Sequence, residues 1–123
     1  MKLHADSIPA LNTVTAYGTD FVEINRVRHQ GSLLVMPEGP VIAWKVPDFG
    51  SLDEAACARL LEHQPEIILL GTGPAQRFPH PRLTRALLAA RVGVDVMSTS
   101  AACRTYNILM AEGRRVLAAL LAA

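Results

Sequence analysis

Cysteine occurs only twice, at Cys57 and Cys103, and neither belongs to a CxxC pair. That scarcity excludes a disulfide framework, a cysteine zinc cluster and a thioredoxin motif, and it fits a reducing, cytoplasmic setting. Long apolar stretches are missing as well: the longest run, Val116 to Ala123, has 8 residues, against the roughly 20 that a membrane-spanning helix needs. The start, Met1 to Asp6, lacks the apolar centre of a signal peptide, and the first arginine, Arg26, comes too late for a transit peptide, so no export address is expected. Aromatic residues make up 5% of the chain, and Phe78 alone interleaves with the basic residues between Glu66 and Asp95, so nucleic acid is not an expected partner. His4, His29, His63 and His80 show neither HxH nor HxxxH spacing, and no metal site or cofactor is expected.

What remains is a chain of 123 residues, 50% hydrophobic and 19% charged, whose size and composition indicate one folded domain over residues 1–123. The formal charge of +1 conceals an uneven distribution: no carboxylate lies between Glu66 and Asp95, while Arg77, His80, Arg82, Arg85 and Arg91 do. Such a stretch can attract an anionic ligand or an acidic protein face. Its plainer explanation is a solvated helix face balanced in space by Glu54, Glu62 or Glu66.

From Asn12 to Trp44 the chain is rich in β-branched and aromatic residues cut by turn signals, which predicts sheet. Thr13 to Tyr17, Phe21 to Ile24 and Val27 to His29 form a hairpin region, with Asn25-Arg26 as its second turn. Pro37-Glu38-Gly39-Pro40 separates two further strands, Ser32 to Met36 and Val41 to Trp44. The period then changes. Ser51-Leu52-Asp53-Glu54 has the form of a capping box opening a helix that Pro65 ends near Gln64. Ile67 to Leu70, apolar throughout, reads as a central strand. A second helix starts at Pro81 and ends near Arg91, with Gly93 suited to a left-handed close. Val94 to Met97 is the next strand, and Ser98 or Thr99 caps a third helix closed by Gly113. The tail Arg114 to Leu121 is assigned as strand, although its alanines and leucines favour helix by propensity.

If the strands before Gly71 and Ser98 are parallel, the turn Gly71-Thr72-Gly73 and the helix start Ser98-Thr99 emerge at one sheet edge, where open α/β sheets hold ligands. Glycines allow close approach, free amides supply donors, and Arg77 can clamp a negative group, which makes Gly71, Thr72, Gly73, Arg77, Ser98 and Thr99 a candidate anion site. The competing explanation is a tight turn after a buried strand, since the turn lacks the third small residue of a dinucleotide fingerprint and a Walker lysine. No catalytic residues are assigned. Cys103 lies beside Arg104 near a helix start, but it shares an apolar arc with Ala102, Tyr106 and Met110. No Ser-His-Asp set can be chosen from residue order.

The Gly71-Thr72-Gly73 turn, the segment Thr99-Ser100-Ala101-Ala102-Cys103-Arg104-Thr105-Tyr106-Asn107 and the following Glu112-Gly113-Arg114 together resemble a conserved family of unknown function. Its eukaryotic members include a mitochondrial assembly factor for respiratory complex I and an adipogenesis-associated protein. The resemblance implies an α/β fold of three layers, a mixed central sheet with helices on its faces, an antiparallel last strand and an added N-terminal β-hairpin element. It implies no catalytic residue or cofactor. The expected function is a non-catalytic binding or assembly-factor-like protein that meets a protein partner through a surface including Arg82 and Arg85. The alternative is a small enzyme or sensor that binds an anionic metabolite at the Gly71 to Gly73 turn and the start of the third helix.

Overall fold

The structure, a computed structural model, describes residues 10–122. The start of the chain, on which the expectation about an export address rests, lies outside the described residues, as does His4. The first strands are β1 (Val14–Gly18), β2 (Phe21–Ile24) and β3 (Val27–His29), an antiparallel three-stranded meander where a hairpin element is expected. Asn25 and Arg26, with φ of 49° and 70°, form the tight β2 to β3 turn, whose geometry matches the twist of the two strands.

The main sheet contains β4 (Leu33–Val35), β5 (Ile42–Ala43), β6 (Ile67–Gly71), β7 (Gly93–Met97) and β8 (Val116–Leu120), in the order β5-β4-β8-β6-β7. The tail is therefore a strand and an interior one. β8 is antiparallel to β4 and parallel to β6, and β6 is parallel to β7. Burial explains why propensity loses here: Val116 to Leu120 is buried at every position, and its alternate side chains serve opposite faces. Val116, Ala118 and Leu120 join one core with Leu33, Val35 and Leu69, beneath α3 (Thr99–Ala111) and the meander. Leu117 and Ala119 join the other with Ile68 and Leu70, beneath α1 (Glu54–Arg59) and α2 (Arg85–Ala89).

Helix boundaries depart from the sequence reading in two places. Asp53 rather than Ser51 caps α1, its carboxylate accepting from Ala56 N at 2.8 Å. Ser51 instead donates its amide and hydroxyl to Asp48 Oδ1 at 2.9 and 2.8 Å, closing a preceding 3-10 turn. The α-helix also gives way at Leu60 to a 3-10 turn through His63, and Gln64 closes it at φ 54°. In the second helical segment Pro81–Thr84 is 3-10, and Arg91 at φ 61°, not Gly93, takes the left-handed position, because Gly93 is already paired into β7. Gly113 closes α3 at φ 80°, in agreement with its sequence assignment.

Asn107 fastens the meander to α3. Its Oδ1 accepts from Val14 N and its Nδ2 donates to Val14 O, both at 2.9 Å, reproducing the paired bonds of a neighbouring strand. Tyr106, the adjacent residue, donates its hydroxyl to Asn12 O at 2.7 Å. Asn107→Leu is expected to destabilise the fold by about 1–3 kcal/mol, because both main-chain groups of Val14 lose their partners. Chemical denaturation with circular dichroism checks this, and a change below about 0.5 kcal/mol would show that Val14 finds other partners.

Candidate functional site

The parallel pairing of β6 with β7 brings the glycine turn and the start of α3 to the same sheet edge, as their spacing requires. Gly71 ends β6, and a Cβ there would sit 3.0 Å from Thr99 Cα and Oγ1, so a larger residue would push the helix start away. Gly73 has φ 94° and a Cβ there would lie 3.2 Å from Ala122 O. The glycines thus allow three segments to meet: the turn, the start of α3 and the end of β8.

The polar groups of this junction bind one another. Thr99 N donates to Gly73 O at 2.9 Å, Gly73 N donates to Thr99 Oγ1 at 2.9 Å, and Thr99 Oγ1 donates to Leu121 O at 2.7 Å. Leu121 N returns a bond to Gly71 O at 2.9 Å, and Thr72 N reaches Met97 O at 2.9 Å. Thr72 Oγ1 lies 2.6 Å from Ala75 O and accepts from Arg77 N at 3.1 Å. Ser98 caps α3 with its own hydroxyl on Ala101 N at 3.3 Å. Gly71, Thr72, Gly73 and Thr99 are all buried. Five of the six candidate anion-site residues therefore come together, with the amides of Thr72, Gly73 and Thr99 engaged inside the protein. Arg77 diverges: its guanidinium lies over the Phe49 ring, 4.2 Å from the centroid.

The basic segment is also sorted by the fold. Arg85 pairs with Glu54 across 3.5 Å on the exposed side of the two helices, matching the balanced-face explanation for that residue. Arg82 and Arg91 are exposed. Phe78 is 74% exposed and Leu88 63%, large apolar surfaces that neither core uses. Residue spacing had no signal for Gln76, whose Nε2 donates to Val96 O at 2.8 Å and ties the turn to β7. Nor did it mark Ser32, Leu121 or Ala122, because these residues join the junction only through the pairing of β8. Ser32 Oγ accepts from Ala122 N at 3.2 Å.

The thiols are unsuited to nucleophilic work. Burial pushes Cys103 up to about 12, against a smaller opposing effect of the Arg104 charge, and Cys57 up to about 11, where Asp53 and Glu54 add to the effect of burial. Arg104 instead donates Nη1 to Tyr17 Oη at 2.9 Å. Among the described residues no group of three or more His, Cys, Asp or Glu side chains is placed to hold a metal ion, and no helix is long and apolar enough to cross a membrane. A half-open cavity of about 350 Å³ lies at the other end of the sheet, between Met36, Pro37, Pro65, Met110, Arg115 and Val116.

Thr99→Val is expected to destabilise the protein by about 3 kcal/mol, since Gly73 N and Leu121 O both lose a buried partner while side-chain volume is kept. Urea denaturation monitored by Trp44 fluorescence reads the change. A variant within about 0.5 kcal/mol of the parent would mean that the hydroxyl does not hold the junction.

Three comparisons place the chain among known proteins. A crystal structure of a protein from Bordetella parapertussis is 47% identical, superposes with a TM-score of 0.89, and shares 94% of this chain and 98% of its own. The 13 kDa major membrane protein of Francisella tularensis is 38% identical over 72 residues, 58% of each chain. NADH dehydrogenase [ubiquinone] 1 alpha subcomplex assembly factor 3 of Bos taurus is 30% identical over 115 residues, 92% of this chain. The chain spans less than two thirds of either of these last two relatives, 58% and 62%. The family model described as Protein of unknown function (DUF498/DUF598) matches residues 14–121, and the chain belongs to that family.

Proposed function

We propose that this chain acts as a single cytoplasmic α/β domain with a binding role of the assembly-factor kind, holding a protein partner against the segment from Arg77 to Arg91 and the adjoining Gly71 turn. The observation that carries this reading is a division of labour at one edge. The amides of Thr72, Gly73 and Thr99 are spent on the fold, while the neighbouring segment exposes Arg82, Arg91, Phe78 and Leu88 with no carboxylate of its own. Exposed arginine and aromatic surface is suited to a protein contact rather than to chemistry on a small substrate. The relative from Bos taurus that bears an assembly-factor name supports the same class of role. The relative with a membrane-protein name makes the compartment part of the proposal.

A pull-down with the full chain is expected to recover a partner that the double variant Arg82→Glu, Arg85→Glu retains at least about tenfold less well. Equal recovery by both proteins removes this surface from the reading.

The second reading, an anionic metabolite held by Thr72, Gly73, Arg77 and Thr99, draws on the juxtaposition of turn and helix start. It requires Gly73 N and Thr99 N to release their present partners and Arg77 to leave Phe49. Under the binding-protein reading, inorganic phosphate at millimolar concentration leaves the amide resonances of Thr72, Gly73 and Thr99 unmoved. Saturable shifts at those amides would favour the metabolite instead.

A further inference from the structure

This inference rests on the basic segment being a contact surface and concerns how a partner would be held beside it. Among the described residues, β7 is the outermost strand on its side of the sheet. Gly93 N donates to Glu66 O, and Met97 O accepts from Thr72 N. The two-residue alternation therefore turns the main chain of Gly93, Asp95 and Met97 toward β6 and that of Val94 and Val96 toward the open edge. Gln76 confirms the direction, since its amide occupies Val96 O from outside, at the place where a further strand would put a donor. The register of β6 with β7 is regular over five residue pairs, and β7 contains no proline. Such an edge is a template for strand addition.

The chemistry of the surroundings selects the occupant. Val94 and Val96 face the core beneath α2, and Met97 faces the opposite core, so Asp95 belongs to the α3 side. A strand added at β7 would alternate in the same way, with every second side chain on the α2 side, where Arg82 and Arg91 are exposed and Arg85 is paired with Glu54. Phe78 belongs to the loop that Gln76 anchors to this edge, and Leu88 lies on α2, which packs against β7. A second copy of the chain fits poorly: a two-fold pairing centred on the strand would set Asp95 against Asp95 and one basic segment against the other. An acidic segment removes the second repulsion.

We propose that β7 receives an extended acidic segment of a partner protein as a sixth strand, its carboxylates on the α2 side and its main chain bonded to Val94 and Val96. Phe78 and Leu88 supply apolar contact beside it. Gln76 holds Val96 O until the segment arrives.

The test uses the full ¹⁵N-labelled chain and three blocked peptides. The first alternates Glu and Val over ten residues, the second has Lys in place of Glu, and the third is the Glu-Val peptide N-methylated at every residue, which removes the donors facing β7 whichever way the strand runs. The Glu-Val peptide is expected to shift the amides of Val94 and Val96 and slow their hydrogen exchange by about tenfold at saturation. The Lys and N-methylated peptides should bind at least about tenfold more weakly, and Gln76→Ala should bind the Glu-Val peptide severalfold more tightly. Equal binding of the N-methylated peptide, or shifts near Arg82 and Arg85 with Val94 and Val96 unmoved, overturns strand addition while leaving a charged contact surface standing. No response anywhere to the Glu-Val peptide, together with equal pull-down by the charge-reversed variant, overturns both. Concentration-dependent broadening of β7 resonances without peptide assigns the edge to a second copy and overturns the acidic segment.

Discussion

The continuous burial of β8 is the constraint on which the molecule depends. This strand pairs with β4 on one side and β6 on the other, and among the described residues it is the only segment that joins the antiparallel part of the main sheet to the parallel part. Its main chain is satisfied on both edges and its side chains enter both cores, so it has no face left for water. Each leucine or valine buried there contributes about 1.5–3 kcal/mol from removal of apolar surface. Alanine at 118 and 119 keeps the strand narrow where α3 on one side and the α1 layer on the other must approach.

The junction at the sheet's carboxyl edge follows from that placement. Because β8 ends beside β6, Leu121 reaches Gly71 and the Thr99 hydroxyl reaches Leu121 O. One threonine thus links three segments that are far apart in sequence. The same arrangement explains why a turn with the composition of an anion cradle is turned inward: Thr72 N meets Met97 O, Gly73 N meets the Thr99 hydroxyl, and that hydroxyl is fixed in turn by Leu121 O at the end of the last strand. What the junction leaves outside is the surface on which the proposed binding role rests: the arginines, Phe78 and the open side of β7.

The alternation of short strands and helices was legible from residues such as Ile67 to Leu70, whose unbroken apolar character marks a strand covered on both faces. Asn25-Arg26 marked the second turn of the meander, and the spacing of Ser98 from Gly113 marked α3. The parallel direction of β6 and β7 followed from their connection through a helix, and with it the meeting of Gly71 with Thr99. Local competition misled in small ways. Asp48 drew Ser51 away from the helix that its sequence position suggested it would cap, and the pairing of Gly93 moved the left-handed residue back to Arg91. The main chain of Arg77 reaches the turn through Thr72 Oγ1, but nothing in its spacing announced that the Phe49 ring would hold its guanidinium.

By itself the sequence determined which segments are strands and helices, which faces they bury, and that the carboxylates stop at Glu66 and resume at Asp95, because these properties depend on periodicity and composition along the chain. Only the tertiary structure decided that β8 lies between β4 and β6, that Asn107 holds Val14, and that the donors of the glycine turn are spent on Met97 and Thr99. Those outcomes depend on which hydrogen-bonding groups arrive together in space, and pairing over long sequence separations leaves no local mark on either partner.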